Sequence, residues 1–195
     1  MRPHGIALGV LAGGAGRRTG GQDKGWIEVG GVPAVVALVE ALRADVDAVL
    51  ISANRNADRY SALGVVIADA HGDPQQADPY QGPLAGVTAL LAATPLPLLL
   101  TVPVDIERVP AGCVAALSAG LDDGHDAVVA IDGDGVQPLV ALYRCTLAAS
   151  AALAFACGER SVRAWQQRLR LASARFPGER FGNRNTLAVG ARAQP

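Results

Sequence analysis

The residues best suited to chemistry come early in the chain. Gly9 to Gly25 reads GVLAGGAGRRTGGQDKG, which puts seven glycines, Arg17, Arg18 and Lys24 directly after a short apolar run. Gly13, Gly14 and Gly16 allow a tight backbone turn and bring bare N–H groups close to phosphate oxygens. Arg17, Arg18 and Lys24 add full positive charges to the same loop, and the combination makes a polyphosphate cradle. Two well-known glycine motifs are each excluded by a missing residue. Gly14 to Thr19 lacks the last glycine of the dinucleotide-binding G-x-G-x-x-G, and Gly16 to Gly21 has P-loop spacing but carries Gln22 in place of the required lysine.

Further candidates sit at the ends of apolar runs. Asp105 closes LPLLLTVPVD. A carboxylate there offers the hard oxygen that Mg²⁺ takes when it bridges to phosphates, and read alone it also fits a helix cap or turn. Ser52 and Asn54 close a second run and Asp69 a third, where side chains reach a base and ribose; Asn54 equally fits a plain turn. Gly82, Pro83, Leu84 and Gly86 form another close-approach loop at a helix start, a favourable place for an anion. His4, His71 and His125 fall in no Ser-His-Asp or Cys-His arrangement. Cys113, Cys145 and Cys157 form no C-x-x-C pair, which argues against a zinc site or a disulfide framework and suits a reducing compartment.

These residues need a scaffold that gathers strand ends. Ile6–Leu11, Ala48–Ser52, Val65–Ile67, Leu98–Val102 and Ala127–Ile131 read as buried strands, with Gln137–Tyr143 a further one that Pro138 assigns to an edge or a strand start. Pro33–Arg43, Arg55–Leu63, Leu84–Ala93 and Pro110–Leu121 have helical spacing, as do Thr146–Ala156 and a helix capped by Ser161 and running to about Arg168. The alternation predicts one α/β domain over residues 1–195: a three-layer, mainly parallel, Rossmann-like sheet with helices on both faces. In such a sheet ligands bind beyond the carboxyl ends of the strands, where the glycine-rich stretch emerges.

Composition is consistent with this. Half of the 195 residues are hydrophobic and 18% are charged, so a sizeable core is expected and disorder is not. With 4% aromatic residues, the core must be built mainly from Ala, Val and Leu. A net charge of −1 excludes bulk attraction to nucleic acid, so an anion must be held locally. The most apolar stretch is short and carries Pro97 and Pro103, too short for the roughly 20 residues of a membrane span. The expected setting is a soluble, cytoplasmic protein.

LAGGAGRRTGGQDKG resembles the signature loop of nucleotidyltransferases of the molybdenum-cofactor guanylyltransferase type. The resemblance extends over nearly the whole chain through VPAVV, ISANR, VIAD, GPLAGV, VPVD, QPLVALY and NRNT, in that order. It implies transfer of GMP from GTP to the terminal phosphate of molybdopterin, with pyrophosphate leaving. Related cytidylyl and sugar-phosphate transferases, or a non-enzymatic nucleotide-binding module serving a molybdoenzyme, are the competing readings. By the same resemblance Lys24 and Arg18 hold the triphosphate, and Asp105 is the Mg²⁺ ligand. Leu11, Ala12, Gly13, Ser52, Asn54 and Asp69 meet the nucleotide, while Gly82, Gly86, Asn183 and Asn185 face the acceptor. Molybdoenzymes or other cofactor-biosynthesis proteins are the implied partners. The chain departs from the pattern at Ser52, where the family often has Asn, at Thr19, and after Thr186. Around Asp105 the departure brings in a second carboxylate, Glu107.

Overall fold

The structure, a computed structural model, describes residues 4–13, 23–70 and 81–184. Its strands are β1 (Ile6–Leu11), β2 (Glu28–Val29), β3 (Val32–Pro33), β4 (Ala48–Ser52), β5 (Val65–Ile67), β6 (Leu98–Pro103), β7 (Ala127–Asp132), β8 (Gly135–Arg144) and β9 (Leu171–Arg175). Its α-helices are α1 (Ala34–Leu42), α2 (Ala57–Tyr60), α3 (Pro83–Ala93), α4 (Cys113–Ala119), α5 (Ala148–Ala156) and α6 (Val162–Gln166).

Among the described residues, seven strands form one sheet in the order β5-β4-β1-β6-β8-β7-β9. The β5, β4, β1 and β6 strands are parallel neighbours, β8 runs antiparallel to both β6 and β7, and β9 lies parallel to β7. The expected mainly parallel sheet is therefore present, with one reversed strand inside it. Strands β1 and β6 are apolar almost throughout because both of their faces are covered. On one face, α1 presents Val35, Leu38, Val39 and Leu42 at helical spacing, and Cys113, Val114 and Leu117 of α4 continue that layer. The opposite face is closed by α3, α5 and α6, where Leu84, Leu90 and Leu91 meet Ala151, Ala154 and Trp165. The small alanines of α5 let it lie close against α3.

The chain runs from β1 outward to β4 and β5, then returns to the other side of β1 as β6. The order reverses beside β1, which opens a crevice at the carboxyl ends of β1 and β6.

Three local readings differ from the sequence expectation. Pro138 is not at an edge. It lies inside β8, where the register against β7 jumps from Val129–Ala141 to Ala130–Gln137. That bulge spares the proline a ladder hydrogen bond, and Thr101 and Gln166 side chains donate to the Leu139 and Pro138 carbonyls at 2.9 Å each. The α2 and α4 helices are shorter than expected at both ends, and they begin late because Asn56 (φ 54°) and Gly112 (φ 74°), just before them, are left-handed. Finally, β9 and the β2–β3 hairpin are additions to the expected set.

A carboxylate ties the far end of the sheet to the crevice. Asp132 accepts from Phe181 N and Asp134 N at 2.8 Å and from Gln137 Nε2 at 3.0 Å. The Phe181 carbonyl in turn accepts from the Glu107 and Arg108 amides, each at 3.1 Å. Burial pushes the Asp132 carboxyl up, but the hydrogen bonds from Phe181, Gln137, Asp134 and Gly135 outweigh it and hold it below the ordinary aspartate value. A depressed folded value gives stability that is present above the unfolded value, about 3.9, and lost as pH falls through the folded one. Asp132→Asn should therefore cost about 1–3 kcal/mol at neutral pH, with the gap narrowing below about pH 4. Urea denaturation across pH checks this, and a gap that stays constant into acid would contradict it.

Candidate active site

The crevice is a cleft lined by Leu11, Ala12, Gly13, Lys24, Ser52, Asp69, Gly82, Pro83, Gly86, Pro103, Val104, Asp105 and Leu139. Ten residues singled out from the sequence meet here: Leu11, Ala12, Gly13, Lys24, Ser52, Asp69, Gly82, Pro83, Gly86 and Asp105. Their elements explain the convergence. The Ala12 amide continues the β1–β4 ladder by donating to Ser52 O at 2.9 Å, and the Val104 amide donates to Leu11 O at 3.1 Å. The ends of β1, β4 and β6 are thus held in register up to the cleft wall.

Lys24 Nζ lies 3.1 Å from Asp105 Oδ2, and both side chains are mostly shielded, at 28% and 18% exposure. A cation and a carboxylate face each other across the cleft in a partly dehydrated setting, where their charges act more strongly than in bulk water. Lys24 is also the sole lysine in the chain; the other basic residues are arginines.

A second cluster forms the neighbouring wall. Ser52 Oγ donates to Asp69 Oδ1, Asn54 Nδ2 donates to Asp69 Oδ2 at 2.9 Å, and the Asp69 amide donates to Asn54 Oδ1 at 2.9 Å. Asn54 does not line the cleft. Its amide is turned onto Asp69, and Asp69 and Ser52 form the wall. Two glycines are needed to fit this cluster. A Cβ on Gly13 would sit 2.5 Å from Asp69 Oδ2, and one on Gly86 would sit 2.6 Å from Ser52 Oγ. Gly82 is required for another reason: its φ is 81°, and a Cβ would meet the Arg160 carbonyl at 2.9 Å. Its small size serves the chain turn into α3, whose amino end points at the cleft.

The two asparagines expected on the acceptor side divide. Asn183 lies outside the cleft lining but bridges to Ile106, while the Arg184 amide donates to Asp105 O at 2.9 Å. The segment ending at Arg184 thus runs alongside the Asp105 loop. Glu107 turns away, against Gly182. Arg17, Arg18 and Asn185 lie outside the described residues. Burial pushes the Cys113 thiol up to about 12, with Asp45 adding to it, and pushes Cys145 up to about 11, so neither is a ready nucleophile.

Sequence reading missed Leu139, which the β8 bulge brings to the cleft; Pro138 inside a strand pattern was the available signal. It also missed the support beneath Lys24. Lys24–Trp26 forms a 3₁₀ turn capped by Asp23, whose Oδ1 accepts from Gly25 N at 3.1 Å and from the Tyr60 hydroxyl at 2.6 Å.

The Gly86–Ser52 contact makes a compensating pair. Gly86→Ala should destabilise the protein by about 1–3 kcal/mol through overpacking. Adding Ser52→Ala, which removes the obstructing oxygen, should restore part of that loss. Thermal unfolding of the single and double variants measures it; strict additivity would contradict the steric account.

Comparison with known proteins fits this geometry. The MobA-like NTP transferase domain matches residues 8–173. The molybdenum cofactor guanylyltransferase of Burkholderia ambifaria is 41% identical over 189 residues, covering 91% of this chain and 89% of that protein. That of Shewanella putrefaciens is 36% identical over 182 residues, covering 91% and 90%. Among solved structures, molybdopterin-guanine dinucleotide biosynthesis protein A from Archaeoglobus fulgidus has the same fold. It superposes with a TM-score of 0.68 at 22% identity, covering 88% of this chain and 83% of that one. The chain is a nucleotidyltransferase of the MobA-like NTP transferase family and belongs with the molybdenum cofactor guanylyltransferases.

Proposed function

We propose that this protein transfers GMP from GTP to the terminal phosphate of molybdenum-loaded molybdopterin, forming the guanine dinucleotide and releasing pyrophosphate. The observation that carries this reading is the Lys24–Asp105 pair at 3.1 Å, at the carboxyl ends of β1 and β6. In the reaction an acceptor phosphate oxygen bonds to the α-phosphorus as the bond to the β-phosphate oxygen breaks. The acceptor is already an adequate nucleophile, so what is needed is alignment and charge neutralisation.

Each residue has a role on this reading. Lys24 leaves Asp105 for the β- and γ-phosphates and offsets the charge that builds on departing pyrophosphate. Arg18 holds the same triphosphate. Leu11, Ala12 and Gly13 offer backbone to the nucleotide, and Asp69, kept in place by Ser52 and Asn54, faces the base and ribose. Gly82 and Gly86, at the amino end of α3, line the acceptor side, with Asn183 beside it; the resemblance gives Asn185 the same role. The product then passes to molybdoenzymes.

The donor set at Asp105 fits Mg²⁺. That ion keeps several waters and uses one or two carboxylates together with substrate phosphates, so a single aspartate in a phosphate cleft is sufficient. Bound there, it would draw negative charge from the α- and β-phosphates. Asp105 would hold it, while Lys24 takes the phosphate oxygens on the other side.

Incubation with GTP, Mg²⁺, molybdopterin and molybdate should give the guanine dinucleotide and pyrophosphate. Product with CTP but not GTP would overturn the base assignment, and turnover of sugar 1-phosphates instead would overturn the acceptor. Lys24→Ala should lower kcat by at least about a hundredfold. Calorimetric titration with GTP should show tighter binding with Mg²⁺ than without it. In Asp105→Asn that difference should vanish, and an undiminished Mg²⁺ effect would remove Asp105 from the metal site.

A further inference from the structure

We propose that Tyr60, a residue outside the cleft, is a positioning residue that acts through Asp23 to hold Lys24 at its working place. The inference rests on the reading of Lys24 given above.

Tyr60 is fully buried and does not line the cleft, so contact with nucleotide is not its task. Its hydroxyl donates to Asp23 Oδ1 at 2.6 Å. Asn56, from the same short helical segment, donates from Nδ2 to Asp23 Oδ2 at 2.7 Å, with its own backbone in the left-handed region. The Asp23 carboxylate also accepts from the Gly25 amide at 3.1 Å, which closes the 3₁₀ turn around Lys24. A Cβ on Gly25 would collide with the Tyr60 hydroxyl, so glycine follows Lys24 because tyrosine needs its space. On the far side, the Trp26 ring packs on Tyr60 with centroids 5.2 Å apart, and the Arg59 guanidinium covers Trp26 at 3.9 Å.

The backbone on both sides of Lys24 is therefore fixed to α2, and freedom remains in the four-carbon stem. A lysine is a flexible point charge and loses much rotamer freedom when it is held. Fixing its Cα limits that loss to the stem and aims the ammonium at Asp105. Burial, followed by the hydrogen bond and charge of Asp23, holds the Tyr60 phenol far above its ordinary value, so it remains a donor across the working pH range. Asp23 is the hydrogen-bonded joint between the Lys24 turn and α2, and the packing of Trp26 on Tyr60 and Arg59 backs it from the other side.

Tyr60→Phe removes the hydroxyl and keeps the ring. It should lower kcat about ten- to a hundredfold with a smaller change in KM for GTP. In a Lys24→Ala background the same substitution should cost less than about twofold, because the cation it positions is gone. A purely structural role would multiply the two losses. Lys24 being the sole lysine, selective isotope labelling of lysine reports on that side chain alone. Tyr60→Phe should move its resonance and speed its reductive methylation severalfold. Wild-type turnover in Tyr60→Phe, a full penalty in the Lys24→Ala background, or an unmoved lysine resonance would overturn the positioning role. Wild-type turnover in Lys24→Ala would instead overturn the reading of Lys24 itself.

Discussion

Lys24 and Asp105 come from opposite sides of the β1–β6 crevice, 81 residues apart in sequence, and the rest of the molecule is arranged so that they meet. Two opposite charges held mostly out of water are costly to place and cannot be justified as stability alone. On the function proposed above, the site exchanges its internal neutralisation for that of a ligand with both signs: anionic phosphates for the lysine, a hard cation for the aspartate. On that reading the pair neutralises itself before the ligand arrives, with each partner already aimed at its target.

The scaffold holds this pair through constraints on each side. For Lys24 it is the Asp23 carboxylate, gripped from α2 by Tyr60 and Asn56. For Asp105 it is the segment around Phe181 and Arg184, whose backbone hydrogen-bonds the loop after β6 and is tied by Asp132 to the β7–β8 turn. Between them, Asp69 joins the ends of β4 and β5, and Gly13 and Gly86 let the β1 loop and α3 close against it. The glycines of this cleft thus serve protein against protein as much as protein against phosphate.

Much of this was legible in the sequence, for physical reasons. Strands β1, β4 and β5 have the bounds expected from their apolar runs; β1 and β4 are buried and read as continuous hydrophobic blocks, whereas β5, expected to be buried too, lies at the sheet edge with Val65 exposed. The cleft wall was legible because polar residues following such blocks fall at strand ends. What escaped has causes too. Strand β9, Leu171–Arg175, reads LASAR, without the β-branched residues that mark a strand, and forms because β7 offers it a parallel edge. The β2–β3 hairpin was overlooked despite Gly30 and Gly31, both at positive φ as a tight two-residue turn requires. Pro138 reads as an edge or strand-start residue because a bulge is not visible in a single strand's pattern. The Tyr60–Asp23 joint depends on a tertiary contact 37 residues apart, which periodicity does not encode. Asn54, which the sequence leaves open between a nucleotide contact and a turn, hydrogen-bonds Asp69, a partner 15 residues away that local pattern does not encode.

The central claim is that Lys24 and Asp105 part to receive opposite ends of one charged ligand. A crystal grown with a non-hydrolysable GTP analogue and Mn²⁺ tests it through anomalous scattering. The account predicts a manganese peak at Asp105, phosphate oxygens within hydrogen-bond distance of Lys24 Nζ, and the 3.1 Å pair opened. Manganese and phosphates bound elsewhere, with Lys24 and Asp105 still joined, would contradict it.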